Sequence, residues 1–285
     1  MDTRRFRLAL AGAAVAAACA AVPASAGATN YVAMGDSYTS GPGIEPYSPT
    51  NPAACGVSER SYPYLVAQAL NLSLTDVSCG GAKTSDETES QLEGQPPQDE
   101  ALSASTEVVT LGMGGNDHNL FGTLVEGCTI LDYYIKPSNK SPCKDNYEGF
   151  VTKTFAEDKP EQEAALRHIK ELAPNAKVFV IGYPEIIDRP CPNFPWYEKD
   201  ALWFRNKVQK VGDKLIEEGA KANGAIFVNT FKPSEGHNAC EPVGTRWIEP
   251  LNGSLTGVLA HPNAMGEEAT AYAVQLAMLK AKVRP

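Results

Sequence analysis

Ser37 sits in the corner Gly35-Asp36-Ser37, where the apolar run Tyr31-Val32-Ala33-Met34 breaks off. Ser40-Gly41-Pro42-Gly43 then prevents any regular continuation. A serine in such a corner is either a nucleophile held at the mouth of a site or a turn residue bonding its own backbone. Two more apolar runs end in glycine corners: residues 72–79 run into Gly80-Gly81, and residues 107–113 into Gly114-Gly115-Asn116-Asp117. A serine nucleophile needs a general base within hydrogen-bond reach. It also needs donors aimed at the oxygen that becomes negative in the transition state. Glycine lets backbone N–H groups approach closely, and an asparagine amide adds a further donor. These parts suit acyl transfer.

The base must come from four histidines. His118 is two residues from Asn116 and is expected to point away from it or into solvent. His168 lies in a helical stretch among charged residues and reads as a surface residue. His237 falls in a Gly-His-Asn-Ala-Cys loop and could line a substrate cleft. His261 stands immediately before a helix, with Pro262 locking the local backbone, which puts it slightly ahead.

To bring these residues together the chain needs elements that end along one edge. Residues 31–34, 72–79, 107–113, 176–183 and 225–231 read as five buried strands. Helical spacing recurs at 62–70, at Leu166, Ile169 and Leu172, and at Ala201, Phe204, Val208, Val211 and Leu215. Met265, Ala269, Tyr272, Leu276 and Leu279 mark an amphipathic C-terminal helix. Residues 119–160 read as a long excursion, part helix and part loop. Strands alternating with helices imply a parallel sheet covered on both faces, an α/β three-layer sandwich. In such sheets ligands bind beyond the carboxyl ends of the strands.

Residues 1–26 read as a secretory signal peptide. Arg4, Arg5 and Arg7 precede an Ala-rich apolar core, and Ala24-Ser25-Ala26 gives the small-residue cleavage pattern. That leaves 27–285 as one catalytic domain, exported, with no stable membrane insertion expected. The formal charge of −9, in scattered residues, argues against a nucleic-acid partner. Six of the seven cysteines lie after the leader: Cys55, Cys79, Cys128, Cys143, Cys191 and Cys240. None forms a CxxC pair, so three disulfides are favoured over a metal or redox site, with the pairing left open. No cofactor or metal is implied, and a monomer is expected.

Four blocks in order resemble the SGNH hydrolases, the GDSL lipases and esterases. They are Gly35-Asp36-Ser37-Tyr38, Cys79-Gly80-Gly81-Ala82, Gly114-Gly115-Asn116-Asp117 and His261-Pro262. The likeness is greatest to secreted actinobacterial lipases and esterases with a Ser–His dyad. The resemblance implies Ser37 as nucleophile and His261 as base. It implies an oxyanion hole from the Ser37 N–H, the N–H of Gly81 (with Gly80 as alternative) and the Asn116 amide. It also implies a flavodoxin-like five-stranded parallel sheet and the disulfides Cys55–Cys79, Cys128–Cys143 and Cys191–Cys240.

One departure stands out. The family's last block reads Asp-x-x-His, and here the first position is Val258. The main-chain carbonyl of Val258 is therefore expected to accept from the His261 ring, unless a distant carboxylate does so. The expected activity is hydrolysis of lipid or short acyl esters. A glycan O-acetylesterase is the alternative, for which Trp196 or Trp247 would serve as sugar platforms, although both read better as packing residues. A non-catalytic binding protein on the same fold is the third reading.

Overall fold

A computed structural model describes residues 28–283 apart from Asn139. The leader expected at 1–26 lies outside the described residues. Five strands, β1 (Asn30–Gly35), β2 (Ser73–Asp76), β3 (Val108–Gly112), β4 (Lys177–Ile181) and β5 (Ile226–Val228), form one parallel sheet. Their spatial order is β2-β1-β3-β4-β5. The register aligns Gly35 with Gly112, so the corners that follow β1 and β3 emerge side by side.

Alternation along β1 divides the core. Tyr31 and Ala33 pack on one face with Tyr62 and Val66 of α2 (Tyr62–Leu70) and with Ala271, Val274 and Met278 of the C-terminal helix (Ala264–Lys280). Val32 and Met34 pack on the other, with Leu166 and Ile169 of the long helix Pro142–Leu172 and with Ile216 and Ala220 of the helix Lys210–Ala222. Of these, the larger aliphatic side chains that are fully buried, such as Val66, Val274, Met34, Met278 and Ile169, each contribute about 1.5–3 kcal/mol relative to exposure. Both faces of the sheet are covered, so the architecture is an α/β three-layer sandwich, as expected.

Numbered in chain order, the remaining helices that matter are α1 (Ser37–Ser40), α3 (Leu120–Thr129), α4 (Pro142–Leu172), α5 (Glu198–Trp203), α6 (Lys210–Ala222), α7 (Phe231–Ser234) and α8 (Ala264–Lys280). A third apolar cluster, including Leu124, Ile187, Phe194, Trp196 and Phe204, lies outside the two sheet faces. The disulfides join Cys55 to Cys79, Cys128 to Cys143 and Cys191 to Cys240, the pairing implied by the resemblance.

Three differences from the sequence reading have physical causes. The excursion at 119–160 is mostly helical, because α4 begins at Pro142, a favoured first-turn residue, and runs through Pro160. The fifth strand is cut to three residues, since Phe231 already starts α7. The stripe Met265, Tyr272, Leu276 and Leu279 faces outward, with Tyr272 64% exposed. Helix α8 is apolar on more than one side, so spacing alone did not select the buried face. Its buried face is marked instead by Glu267, whose carboxylate accepts the Tyr62 N–H at 2.8 Å.

Candidate active site

Strand β1 ends at Gly35, a position where no side chain fits. A Cβ would stand 2.1 Å from Thr39 Oγ1 and 2.7 Å from the Gly112 carbonyl oxygen. Asp36 caps the short helix that follows, its Oδ1 accepting the Tyr38 N–H at 2.8 Å. Ser37 therefore occupies the first helical position, 7% exposed, at the carboxyl edge of the sheet.

His261 meets it from the other end of the chain. Its Nε2 lies 2.7 Å from Ser37 Oγ, and its Nδ1 lies 2.7 Å from the carbonyl oxygen of Leu259. The carbonyl that faces the ring is thus that of Leu259, not that of Val258. The reason is Ala260, which adopts a left-handed φ of 57° and turns the chain so that the carbonyl two residues before His261 points back at the imidazole. The Ala260 carbonyl accepts a short bond from the Tyr38 hydroxyl, and the Ala260 N–H donates to the Glu249 carbonyl at 2.9 Å. With Leu259 accepting, the proton belongs on Nδ1 and Nε2 is left free to accept from Ser37. Burial pushes the His261 pKa below its ordinary value, with the Leu259 carbonyl opposing in part. The rings of Tyr38 and Phe121 pack against the imidazole at centroid distances of 5.1 and 5.4 Å.

The second corner is held by the Cys55–Cys79 disulfide and by the Gly80 N–H, which donates to the Cys55 carbonyl at 3.0 Å. Gly81 has a φ of 80°, a conformation natural to glycine. The third corner is stitched to the second. Asn116 Nδ2 donates to the Ala82 carbonyl at 3.1 Å, which engages one of its two N–H groups. Asp117 Oδ1 accepts the Thr84 N–H at 2.7 Å, and its Oδ2 accepts the Thr84 hydroxyl at 2.5 Å.

Tyr183, one residue past the Gly182 that follows β4, joins the third corner to the first. Its hydroxyl accepts the Gly115 N–H at 2.9 Å and donates to Asp36 Oδ2 at 2.5 Å. Burial raises the Asp36 pKa to about 7, with the Tyr183 and Tyr38 bonds pulling the other way. The sequence reading missed Tyr183, Phe121 and Tyr38 as parts of the site. A tyrosine just beyond a buried strand, on the same edge as the glycine corners, was the available signal.

The remaining histidines do not hydrogen-bond to Ser37. His168 Nε2 lies 3.0 Å from Asp99 Oδ2, His237 stacks on Trp247 at 4.1 Å, and His118 stands among carboxylates of α4. Trp196 is buried, its Nε1 donating to Thr129 Oγ1 at 3.1 Å.

A cleft of about 90 Å³ lies against Tyr38 and Phe121, the two rings that pack on His261. Tyr38 and Gly115 line it, and Leu120, Phe121, Leu124, Phe155, Phe204 and Val208 contribute apolar wall. Phe204 and Val208 belong to a π-helical stretch, Phe204–Gln209, between α5 and α6. Such insertions occur frequently at functional sites.

The family model for the GDSL-like lipase/acylhydrolase family matches residues 33–269. Lipase 2 of Streptomyces coelicolor is 38% identical over 87% of this chain and 85% of its own length. Among solved structures, phospholipase A1 from Streptomyces albidoflavus superposes with a TM-score of 0.70 at 26% identity, covering 90% of this chain and all of that one. The extracellular lipase of Streptomyces rimosus has the same fold, with a TM-score of 0.70 at 24% identity over 87% of this chain and 98% of that one. The chain belongs to the GDSL-like lipase/acylhydrolase family and is an ester hydrolase.

Proposed function

We propose that this protein is an exported, single-domain lipase or esterase that cleaves acyl esters through a serine acyl-enzyme. The observation that carries the reading is the relay Ser37 Oγ to His261 Nε2 at 2.7 Å, with Nδ1 held by the Leu259 carbonyl at 2.7 Å. His261 takes the Ser37 proton as Ser37 attacks the ester carbonyl. The oxyanion is held by the Ser37 and Gly81 N–H groups and by the Asn116 amide N–H not engaged by Ala82. His261 then protonates the leaving alcohol, and water, activated by the same base, releases the acid. A neutral carbonyl behind His261 fixes the tautomer, the geometric part of the third residue's role, while stabilising the imidazolium less than a carboxylate would.

The apolar cleft favours an acyl chain as the group bound beside the nucleophile. Burial of one methylene there is worth about 0.8 kcal/mol, so chain length should register in binding. A glycan acetyl ester has less support, because Trp196 is buried and the half-buried Trp247 already has His237 stacked on it at 4.1 Å. Export is supported by the Arg-led, Ala-rich start of the chain and by three disulfides.

The test is hydrolysis of p-nitrophenyl esters, acetyl through palmitoyl, by the oxidised protein and by Ser37→Ala. Turnover that rises with chain length and disappears in Ser37→Ala is expected. Activity that survives Ser37→Ala would overturn the mechanism, and a strict acetyl preference would overturn the acyl-chain assignment.

A further inference from the structure

His118 lies directly after the Asn116-Asp117 corner and faces one side of α4. Its Nε2 is 3.3 Å from Asp158 Oδ1 and 3.5 Å from Glu161 Oε2, and one donor atom from each of the three residues lies within 4.8 Å of the others. Asp158 is 4% exposed, and its Oδ1 accepts no hydrogen bond although it points at the imidazole. A carboxylate oxygen left in that state needs a partner.

The distances suit a shared ion better than a direct bond. Zinc bonds to imidazole nitrogen and carboxylate oxygen are about 2.0–2.2 Å long, so the edge of a tetrahedron around the ion is about 3.3–3.5 Å. The two His118 separations fall in that range. Glu161 is exposed, so rotation of its side chain can close the wider Asp158–Glu161 edge. On the other side of the ring, Glu157 Oε2 lies 3.8 Å from Nδ1, the place of the outer carboxylate that orients a metal-bound histidine.

Charge points the same way. Asp117, Glu157, Asp158 and Glu161 gather around one imidazole, while Lys153 reaches only Glu157 and Lys159 turns to Glu218. A divalent cation would offset that surplus.

We propose that His118, Asp158 and Glu161 form a zinc-type divalent metal site, with Glu157 orienting the histidine. The ion ties the segment carrying Asn116 to α4 at the rim of the cleft that Asp158 also lines. One nitrogen and two carboxylate oxygens at these separations match zinc or cobalt, and they supply too few oxygens for calcium. A fourth position is left for water. The site does not depend on the proposed catalytic roles, and its test reads binding alone.

The oxidised protein, stripped with chelator, is titrated calorimetrically with zinc chloride and with calcium chloride, and by visible absorption with cobalt chloride. One equivalent of zinc is expected, with the intense absorption of low-coordinate cobalt and no calcium heat. Changes in outer-shell partners already cost about 10–100-fold in metal affinity, so His118→Ala and Asp158→Asn should each cost about 100-fold or more. His168→Ala and His237→Ala should bind as wild type does. His118→Ala and Glu161→Gln change exposed side chains, so they decide the matter if Asp158→Asn does not fold. Absence of stoichiometric zinc binding, or binding that survives His118→Ala, would overturn the proposal and leave the cluster as an ion-pair network.

Discussion

Replacing Tyr183 by Phe keeps the ring in place and removes one oxygen, the one that serves two corners of the site at once. The lost bond to Asp36 is charge-assisted when Asp36 is ionised, worth about 1.5–3 kcal/mol, and the stranded Gly115 N–H adds about 1 kcal/mol. The expected loss at pH 8 is therefore about 2–4 kcal/mol. In a domain of this size 1 kcal/mol moves Tm by about 2–4 °C, so a fall of roughly 5–15 °C follows. The pH dependence sharpens the test. The Asp36 pKa is raised to about 7 and the Tyr183 hydroxyl is one of the groups restraining it, so the variant's Asp36 should titrate higher still. At pH 5 the carboxyl is neutral in both proteins, the charge-assisted part is absent from both, and the gap in Tm should narrow. Because the corners carrying Ser37 and Asn116 both loosen, kcat should fall about 10–100-fold with KM nearly constant. Thermal melts at pH 5 and 8, with ester hydrolysis alongside, measure all of this. A Tm within about 2 °C of wild type at pH 8, or an equal loss at both pH values, would refute the reasoning.

Asn116→Ala should lower kcat by about 10²–10³ with the fold intact, as loss of one oxyanion donor does elsewhere; unchanged kcat would remove Asn116 from the site. Since burial lowers the His261 pKa, the acid limb of kcat/KM should have its midpoint below 6.5, and a midpoint above 7 would contradict the buried dyad. Gly35→Ala drives a Cβ into the Gly112 carbonyl oxygen, which is backbone and cannot step aside. A loss of about 1–3 kcal/mol or more is expected in chemical denaturation, together with reduced activity. Asp36, Asp76 and Asp213 each have a folded pKa raised by burial to about 7, so the native state holds protons that the unfolded chain has released. Their stabilisation is complete below about pH 4 and fades as pH rises to 7, opposed below pH 6.5 by His261 and, in the acid range, by Glu235 and Glu249, all three lowered. Tm should thus be higher at pH 5.5 than at pH 8, and the reverse order would be evidence against these assignments.

Strands β1, β3 and β4 were legible because uninterrupted apolar runs ending in Gly or Pro have few other interpretations. The four motif blocks were legible because chemistry restricts them to particular residue types. What could not be read came from three-dimensional coincidence. Tyr183 acts through a hydroxyl that reaches two loops distant in sequence. The buried face of α8 was hidden because the helix carries apolar residues all round, and Glu267 decides its orientation through a partner in α2. The orienting carbonyl was placed one residue early because the Asp-x-x-His spacing describes a side chain reaching back. Here a main-chain oxygen does the reaching, and the bend at Ala260 sets which one. His118 and the acids of α4 lie some forty residues apart, with no spacing to announce them.

That bend has an evolutionary consequence. An acidic third residue can be lost by one nucleotide change, whereas the Leu259 carbonyl survives every substitution at its own position, since all residues carry one. Mutational risk moves to Ala260, fully buried and held at a left-handed φ of 57°. A β-branched residue there would meet both steric objections at once. A family scan that scores catalytic competence by the acid alone would therefore discard such chains as dead, although in the proposed mechanism the function of the acid passes from the identity of a side chain to the path of the backbone.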